Sequence, residues 1–314
     1  MNYLHVGYPK CGSSFLQNAY FTQENGFCNL LIHAPHEFRD FITHDLLISD
    51  SMSYSGKMPA ITEHSVFKKN IGLSAEDFIT APVDYSLLLD RWTELFPTSK
   101  VLIVIRSQPD LIYSWYVQLI NAGYFRNIHQ FTRELMWDRQ RSIWSRLDYD
   151  SVARLTIEKF TDVKIVIYET MNTDYSGYIR DLNSFFETDA VVPNQKYRET
   201  PSNTAVLAMR TLNSLFRHGY GLSMMSIQPS YNVGPGRGRV NNVILPVEGN
   251  RRTNIRKWSK RIAKIMPKFD RKINNRQIYR EEYEDLFVEC FGESNRRLRD
   301  LTGLDLGKYN YPGV

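Results

Sequence analysis

The chain has 314 residues, of which 42% are hydrophobic and 23% charged, with a formal net charge of +5 at pH 7. Those are the proportions of a soluble globular protein of one elaborated α/β domain or two, and the positive balance points to an anionic ligand or surface. No run of about 18 apolar residues occurs, which excludes a membrane-spanning helix, and the start Met1-Asn-Tyr-Leu-His-Val-Gly7 lacks the regions of a secretory signal.

Short apolar, β-branched runs at Tyr3–Gly7, Phe27–Ile32, Pro59–Thr62, Val101–Ile105 and Val163–Tyr168 read as strands. Between them Tyr85–Phe96, Pro109–Ala122 and Tyr175–Phe186 carry helical periodicity. This alternation predicts an α/β fold, a doubly wound parallel sheet flanked by helices. The uniformly apolar Val101-Leu-Ile-Val-Ile105 fits a central strand covered on both faces. After about residue 190 the alternation stops, and Pro201–Arg217 and Arg276–Leu301 read as helices. Residues 1–190 are therefore expected to be the nucleotide-binding core, and 191–314 a helical, basic extension packed on it within a single domain. Cys11, Cys28 and Cys290 are odd in number and lack metal-ligand spacing, as expected of a reduced, cytoplasmic protein with no bound metal.

The first strand runs into Gly7-Tyr8-Pro9-Lys10-Cys11-Gly12-Ser13-Ser14 and then an apolar helical stretch. A strand, a glycine-containing loop and a helix start present backbone N–H groups and a positive dipole end to an anion. Gly12 permits close approach, Ser13 and Ser14 add hydroxyls, and Lys10 adds a mobile charge. Gly7 and Gly12 have the spacing of a Walker A loop, but Ser13 stands where that motif requires lysine. Taken alone, the loop is equally well an ordinary Gly/Ser turn.

Strand Val101–Ile105 ends in Arg106-Ser-Gln-Pro109-Asp110. Pro109 suits a first helical turn and Asp110 its positive end. Ligands of open parallel sheets sit beyond the carboxyl ends of the strands, which puts Arg106 in the same crevice as the loop, with Ser114 further along the helix. Arg106 and Ser114 can then grip a second phosphate by charge-assisted hydrogen bonds. Taken alone, a structural arginine and a helix serine are the better reading.

Together, Pro9-Lys10-Cys11-Gly12-Ser13-Ser14 after the first strand and Arg106 with Ser114 after a central one resemble the sulfotransferase family. The resemblance implies the P-loop nucleotide-binding type of sheet and 3′-phosphoadenosine-5′-phosphosulfate (PAPS) as sulfuryl donor. The product would be adenosine 3′,5′-bisphosphate, and no metal is required. It puts Pro9 to Ser14 on the 5′ side and Arg106 and Ser114 on the 3′-phosphate. Tyr168, with Glu169 after it, looks like the family tyrosine near the adenine. The segment 287–312, with Ser294-Asn-Arg-Arg-Leu298 and Lys308-Tyr-Asn-Tyr-Pro312, resembles bacterial members acting on glycans, which implies a carbohydrate or glycolipid acceptor. The chain departs from the pattern at Cys11, where Ser or Thr is commoner, and at Ser13-Ser14 in place of Thr-Thr. The usual proline is also shifted by one at Gln108.

Family enzymes use a His or Glu to take the acceptor proton. Glu63 and His64, after the expected strand Pro59–Thr62, are the first candidates; Glu37 and His36, after the second strand, come next. Between Arg237 and Lys272 there are twelve Lys/Arg against two acidic residues. The spacing of Ile255, Trp258, Ile262 and Ile265 there predicts an amphipathic helix. Four readings stay open for this stretch: a nucleotide lid, an acceptor surface, a peripheral contact at the inner membrane face through 251–272, or a solvated helix. No nucleic-acid-binding motif accompanies the charge. A small-molecule kinase and a non-catalytic nucleotide-binding protein are the alternative functions.

Overall fold

The computed structural model describes residues 1–59, 70–81, 83–138, 143–194, 203–215 and 275–314. Five parallel strands form one sheet: β1 Asn2–Gly7, β2 Phe27–Asn29, β3 Asn70–Ala75, β4 Ser99–Ile105 and β5 Val163–Ile167, in the order β2-β3-β1-β4-β5. β1 lies between β3 and β4, with Leu4 opposite Leu73 on one side and Val101 on the other. The chain leaves β1 toward β2 and leaves β4 toward β5, in opposite directions across the sheet. The carboxyl ends of β1 and β4 therefore flank the topological switch point, where such sheets bind ligands. This is the doubly wound arrangement that the alternation predicted.

Right-handed crossovers in opposite directions put helices on both faces. On one face are α1 (Ser13–Phe15), which runs on as a π-helical segment Leu16–Tyr20, and, later in the chain, α9 (Tyr175–Phe186). Here Tyr3 of β1 stacks on Phe21 at 4.8 Å, and Phe186 packs against Phe21 at 5.5 Å. The other connections carry α2 (His36–Asp40), α3 (Asp77–Thr80), α4 (Tyr85–Leu95), α5 (Gln108–Ala122), α6 (Ile128–Asp138), α7 (Tyr149–Lys159) and α8 (Thr170–Thr173). Asp84 caps α4 by accepting from the Ser86 amide at 2.9 Å, and Trp92 is fully buried, donating to Ser99 Oγ at 3.0 Å. Pro109 opens α5 and Gly123, at φ 109°, closes it.

Beyond the sheet, α10 (Asn203–Leu215) packs on α5, α11 (Asn275–Glu282) also on α5, and α12 (Glu284–Thr302) on α7. The sequence predicts one helix over 276–301, but the chain breaks at Tyr283 (φ −114°, ψ 16°), which lets α11 and α12 take separate partners. The segment that carried the resemblance to glycan enzymes ties this region down. Ser294 Oγ and Arg297 Nε donate to the two oxygens of buried Asp150, both at 2.6 Å. Asn295 exchanges hydrogen bonds with Gln108 and holds the Pro312 carbonyl at 3.0 Å. Gln108 is thus a buried tie between α5 and α12.

Two strands differ from expectation. β2 ends at Asn29, because the Asn29 side chain accepts from the Leu31 amide and its carbonyl from the amides of Ile32 and His33, turning the chain. Residues 60–62 of the expected strand Pro59–Thr62 lie outside the described residues; the strand beside β1 is Asn70–Ala75. Its sequence, Asn-Ile-Gly-Leu-Ser-Ala, hides it. Gly72 must be small because a Cβ there would run into the Tyr3 carbonyl and lie 2.5 Å from its ring.

Candidate functional site

The loop after β1 has two residues in the left-handed region, Lys10 at φ 68° and Gly12 at φ 81°. Gly12 supplies that conformation freely, whereas Lys10 adopts it at a steric cost that surrounding contacts must offset. Arg106 is one such contact: its Nη1 donates to the Lys10 carbonyl at 2.8 Å. Gly12 is constrained from the other side as well, since a Cβ would stand 3.0 Å from the Tyr168 ring. Arg106 lies 4.8 Å over that same ring, and its own carbonyl accepts from the Tyr149 hydroxyl at 2.7 Å. Loop, Arg106 and Tyr168 form one packed unit across the switch point.

Within the loop the predicted ligands divide. Pro9 is buried and shapes the turn. The Cys11 side chain is turned inward: it is 1% exposed, its amide bonds to the Tyr8 carbonyl and its Sγ lies 3.8 Å from the Pro9 carbonyl. Burial pushes its thiol well above the ordinary range, so it stays neutral. Ser13, also buried, reaches the Tyr8 carbonyl at 3.4 Å, a long contact that leaves the hydroxyl free to rotate. Gly12 stands at the head of α1, and the half-exposed Lys10 and Ser14 lie on the rim of the loop there. Beneath the loop sits His5, fully buried, its Nδ1 2.7 Å from Ser74 Oγ; burial pushes its pKa down to about 3.

Arg106 is 7% exposed, and its Nε–H is buried with no hydrogen-bond partner among the described residues. An orphaned guanidinium donor at a strand's carboxyl end fits an anionic ligand. Ser114, on the next helix, is likewise buried, and its Oγ accepts from Arg276 Nη2 at 3.2 Å. Arg276 and Arg280, on one face of α11, were not singled out from the sequence, because nothing in a helix rich in arginine says which face meets a strand end. Burial first, and Arg106 second, pull the Arg276 guanidinium below its usual range, so the two cations are neighbours. Arg280 Nη2 lies 3.0 Å from Asp110 and 3.4 Å from Ser107 Oγ. Three arginines and two serine hydroxyls thus converge around the start of α5, with the carboxylate of Asp110 paired to two of the arginines and that of Glu169 close by.

Glu169 anchors this corner, accepting from the Ser107 amide at 3.1 Å; burial raises its pKa despite that hydrogen bond and Arg106 nearby. On the other side of β1, β3 closes at half-buried Glu76, the N-terminal neighbour of α3. The Cys11 thiol feels Arg106, Glu169, Glu76 and Lys10, in that order, which places all four charges around the loop.

The proton-acceptor candidates fare differently. Glu63 and His64 lie outside the described residues. His36 and Glu37 are exposed on α2, after the edge strand β2, and His36 pairs with Asp40 at 2.8 Å. With β3 at 70–75, the residue closing the strand next to β1 is Glu76, which the sequence reading passed over because it placed that strand at 59–62. The basic stretch 237–272 also lies outside the described residues. Among the described residues, no group of three or more His, Cys, Asp or Glu side chains is arranged to hold a metal ion, and no helix is long and apolar enough to cross a membrane.

No protein-family model matches the chain, and no curated protein sequence does. Among solved structures it is similar to a sulfotransferase from Alicyclobacillus acidocaldarius, with TM-score 0.45 and 18% identity over 68% of this chain and 90% of that one. It is also similar to mouse sulfotransferase SULT7A1 complexed with PAP, with TM-score 0.40 and 13% identity over 90% of this chain and 88% of that one. At these scores the likenesses carry no functional argument, which rests on the site's own residues.

Proposed function

We propose that the chain is a sulfotransferase that takes the sulfuryl group from PAPS and transfers it to a hydroxyl or amine of a carbohydrate or glycolipid. One observation carries the reading: groups suited to bind anions stand on both sides of the crevice between β1 and β4, and we assign them to two poles. The loop at 7–14 forms one pole, and Arg106, Ser114 and Arg276 form the other. A ligand with a phosphate at each end of an adenosine matches both. A nucleoside triphosphate, with one polyphosphate chain, uses only the first.

The bound nucleotide would supply an activated sulfuryl group with a phosphate as leaving group. Lys10 and the amides at the head of α1 stabilise charge that develops on that phosphate, held ready by the turn that Arg106 pins. Tyr168, packed between Gly12 and Arg106, offers a ring edge to the adenine. Glu76 is assigned as the base that takes the acceptor proton, because it closes the strand adjacent to β1 and acts on the loop electrostatically. The carbohydrate or glycolipid class rests on the sequence resemblance alone, since the described part of that segment braces α7 and α5. Sulfation of a panel of soluble glycans and glycolipids with radiolabelled PAPS tests it; label appearing only on phenols or peptides would overturn the carbohydrate assignment. For the basic stretch we propose peripheral contact with an anionic membrane face from the cytoplasm. Replacing Arg251 and Arg252 by Ala should weaken binding to anionic liposomes and leave nucleotide affinity unchanged; the reverse result makes the stretch a nucleotide lid.

A further inference from the structure

The sequence assigns Asp110 to the positive end of α5, where any acid is favoured. The structure gives it a second use. Its Oδ1 lies 3.0 Å from Arg280 Nη2 and 3.9 Å from Arg276 Nε, and its side chain is only 16% exposed. Ser114 sits one helical turn further on the same face, with its hydroxyl on Arg276. The Asp110 carboxylate and any phosphate held at Ser114 thus share the Arg276 guanidinium, with Arg280 beside it on Asp110.

The two faces of α11 are held differently. On one, Tyr279 is buried, its hydroxyl 2.8 Å from Thr132 Oγ1, and it packs on Tyr283 and Tyr113. On the other, Arg276 and Arg280 meet Asp110, Ser114 and Ser107 through polar contacts, with the Arg276 guanidinium also 5.9 Å over Tyr113. Arg106, Arg276 and Arg280 repel one another, and among the described residues Asp110 is the carboxylate paired with two of them. Glu169, the other acid of this corner, has Oε1 on the Ser107 amide.

We propose that Asp110 is a positioning residue that docks the arginine face of α11 on α5, and that a ligand phosphate at Ser114 supplies a second anionic bridge. Docking of α11 and binding of a 3′-phosphate are then coupled and reciprocal. This rests on the bisphosphate reading of the site.

Hydrogen–deuterium exchange on the full chain tests it, reading residues 279–282, whose amides bond back within α11, and in parallel the loop at 7–14. Asp110→Asn keeps the shape and removes the charge. It should speed exchange in 279–282 about tenfold, the factor that matches loss of one charged hydrogen bond. Adenosine 3′,5′-bisphosphate should restore protection there, whereas 5′-AMP, lacking the second phosphate, should protect the loop only. Unchanged exchange in the variant overturns the proposal, and so does acceleration that the bisphosphate fails to reverse while it still protects the loop. If the bisphosphate protects neither segment in the parent chain, the nucleotide reading is what fails, and the coupling falls with it. Arg280→Gln breaks the same pair from the α11 side and must behave alike, so a poorly folding Asp110 variant does not leave the question open.

Discussion

Removing the two arginines we assign to the 3′ pole should give different results, because they touch different things. Arg276 reaches Ser114 and Asp110, with no hydrogen bond to the loop among the described residues, whereas Arg106 holds the Lys10 carbonyl at 2.8 Å. A hydrogen bond to a charged group contributes about 1.5–3 kcal/mol, and about 1.4 kcal/mol is tenfold in affinity. Arg276→Ala should therefore weaken adenosine 3′,5′-bisphosphate by about ten- to a hundredfold and leave 5′-AMP within about twofold. Arg106→Ala loses that phosphate contact and releases the strained turn at Lys10 as well. It should weaken 5′-AMP by about tenfold and the bisphosphate by a further about tenfold or more. Isothermal titration of both ligands against both variants reads this directly. If Arg276→Ala weakens the two ligands equally, α11 does not serve a second phosphate. If Arg106→Ala leaves 5′-AMP untouched, Arg106 does not set the loop.

Three further outcomes follow from other parts of the molecule. Glu76→Gln should lower the sulfuryl-transfer rate by about 10²–10⁴-fold with bisphosphate affinity unchanged. A normal rate in that variant, with loss in Glu63→Gln or His64→Asn instead, moves the base to the 63–64 segment. Gly72→Val should destabilise the fold by about 3 kcal/mol or more in denaturant unfolding, since its side chain must enter the space of Tyr3; a near-neutral result contradicts the observed β1–β3 register. His5, with its pKa pushed down to about 3 by burial, binds a proton more readily unfolded than folded. Between about pH 6.5 and 3 the unfolded state therefore holds the extra proton, and stability should fall as pH falls through that window, by about 1.4 kcal/mol per unit from this group. Replacement by Asn should flatten the dependence by about one proton; an unchanged slope means His5 is not buried neutral.

Most of the sheet was legible because β1, β4 and β5 are largely apolar runs, and Pro109 and Gly123 bound the long helix after β4. β3 was not, since a strand that lies against the Tyr3 ring has to use Gly72 and gives up the very pattern by which strands are found. With the strand expected at 59–62 the candidates for the base were Glu63 and His64, which lie outside the described residues; with β3 at 70–75 the proposal turns to Glu76. The packing of the loop against Arg106 and Tyr168 was legible because each follows a strand, and the order of elements alone brings strand ends together. Arg276 and Arg280 were not, because their place depends on the chain breaking at Tyr283 and on α11 docking against α5. Cys11 was assigned to the ligand by its position in the loop, while its turn inward depends on a backbone that sequence spacing does not specify.

The central claim is that this crevice recognises phosphates at both ends of an adenosine. Calorimetric titration of the full chain with adenosine 3′,5′-bisphosphate, and separately with ATP and magnesium, tests it most directly. Tight one-to-one binding of the bisphosphate, with ATP far weaker, is the expected result. Tight binding of ATP with none of the bisphosphate would contradict it and return the loop to the kinase reading.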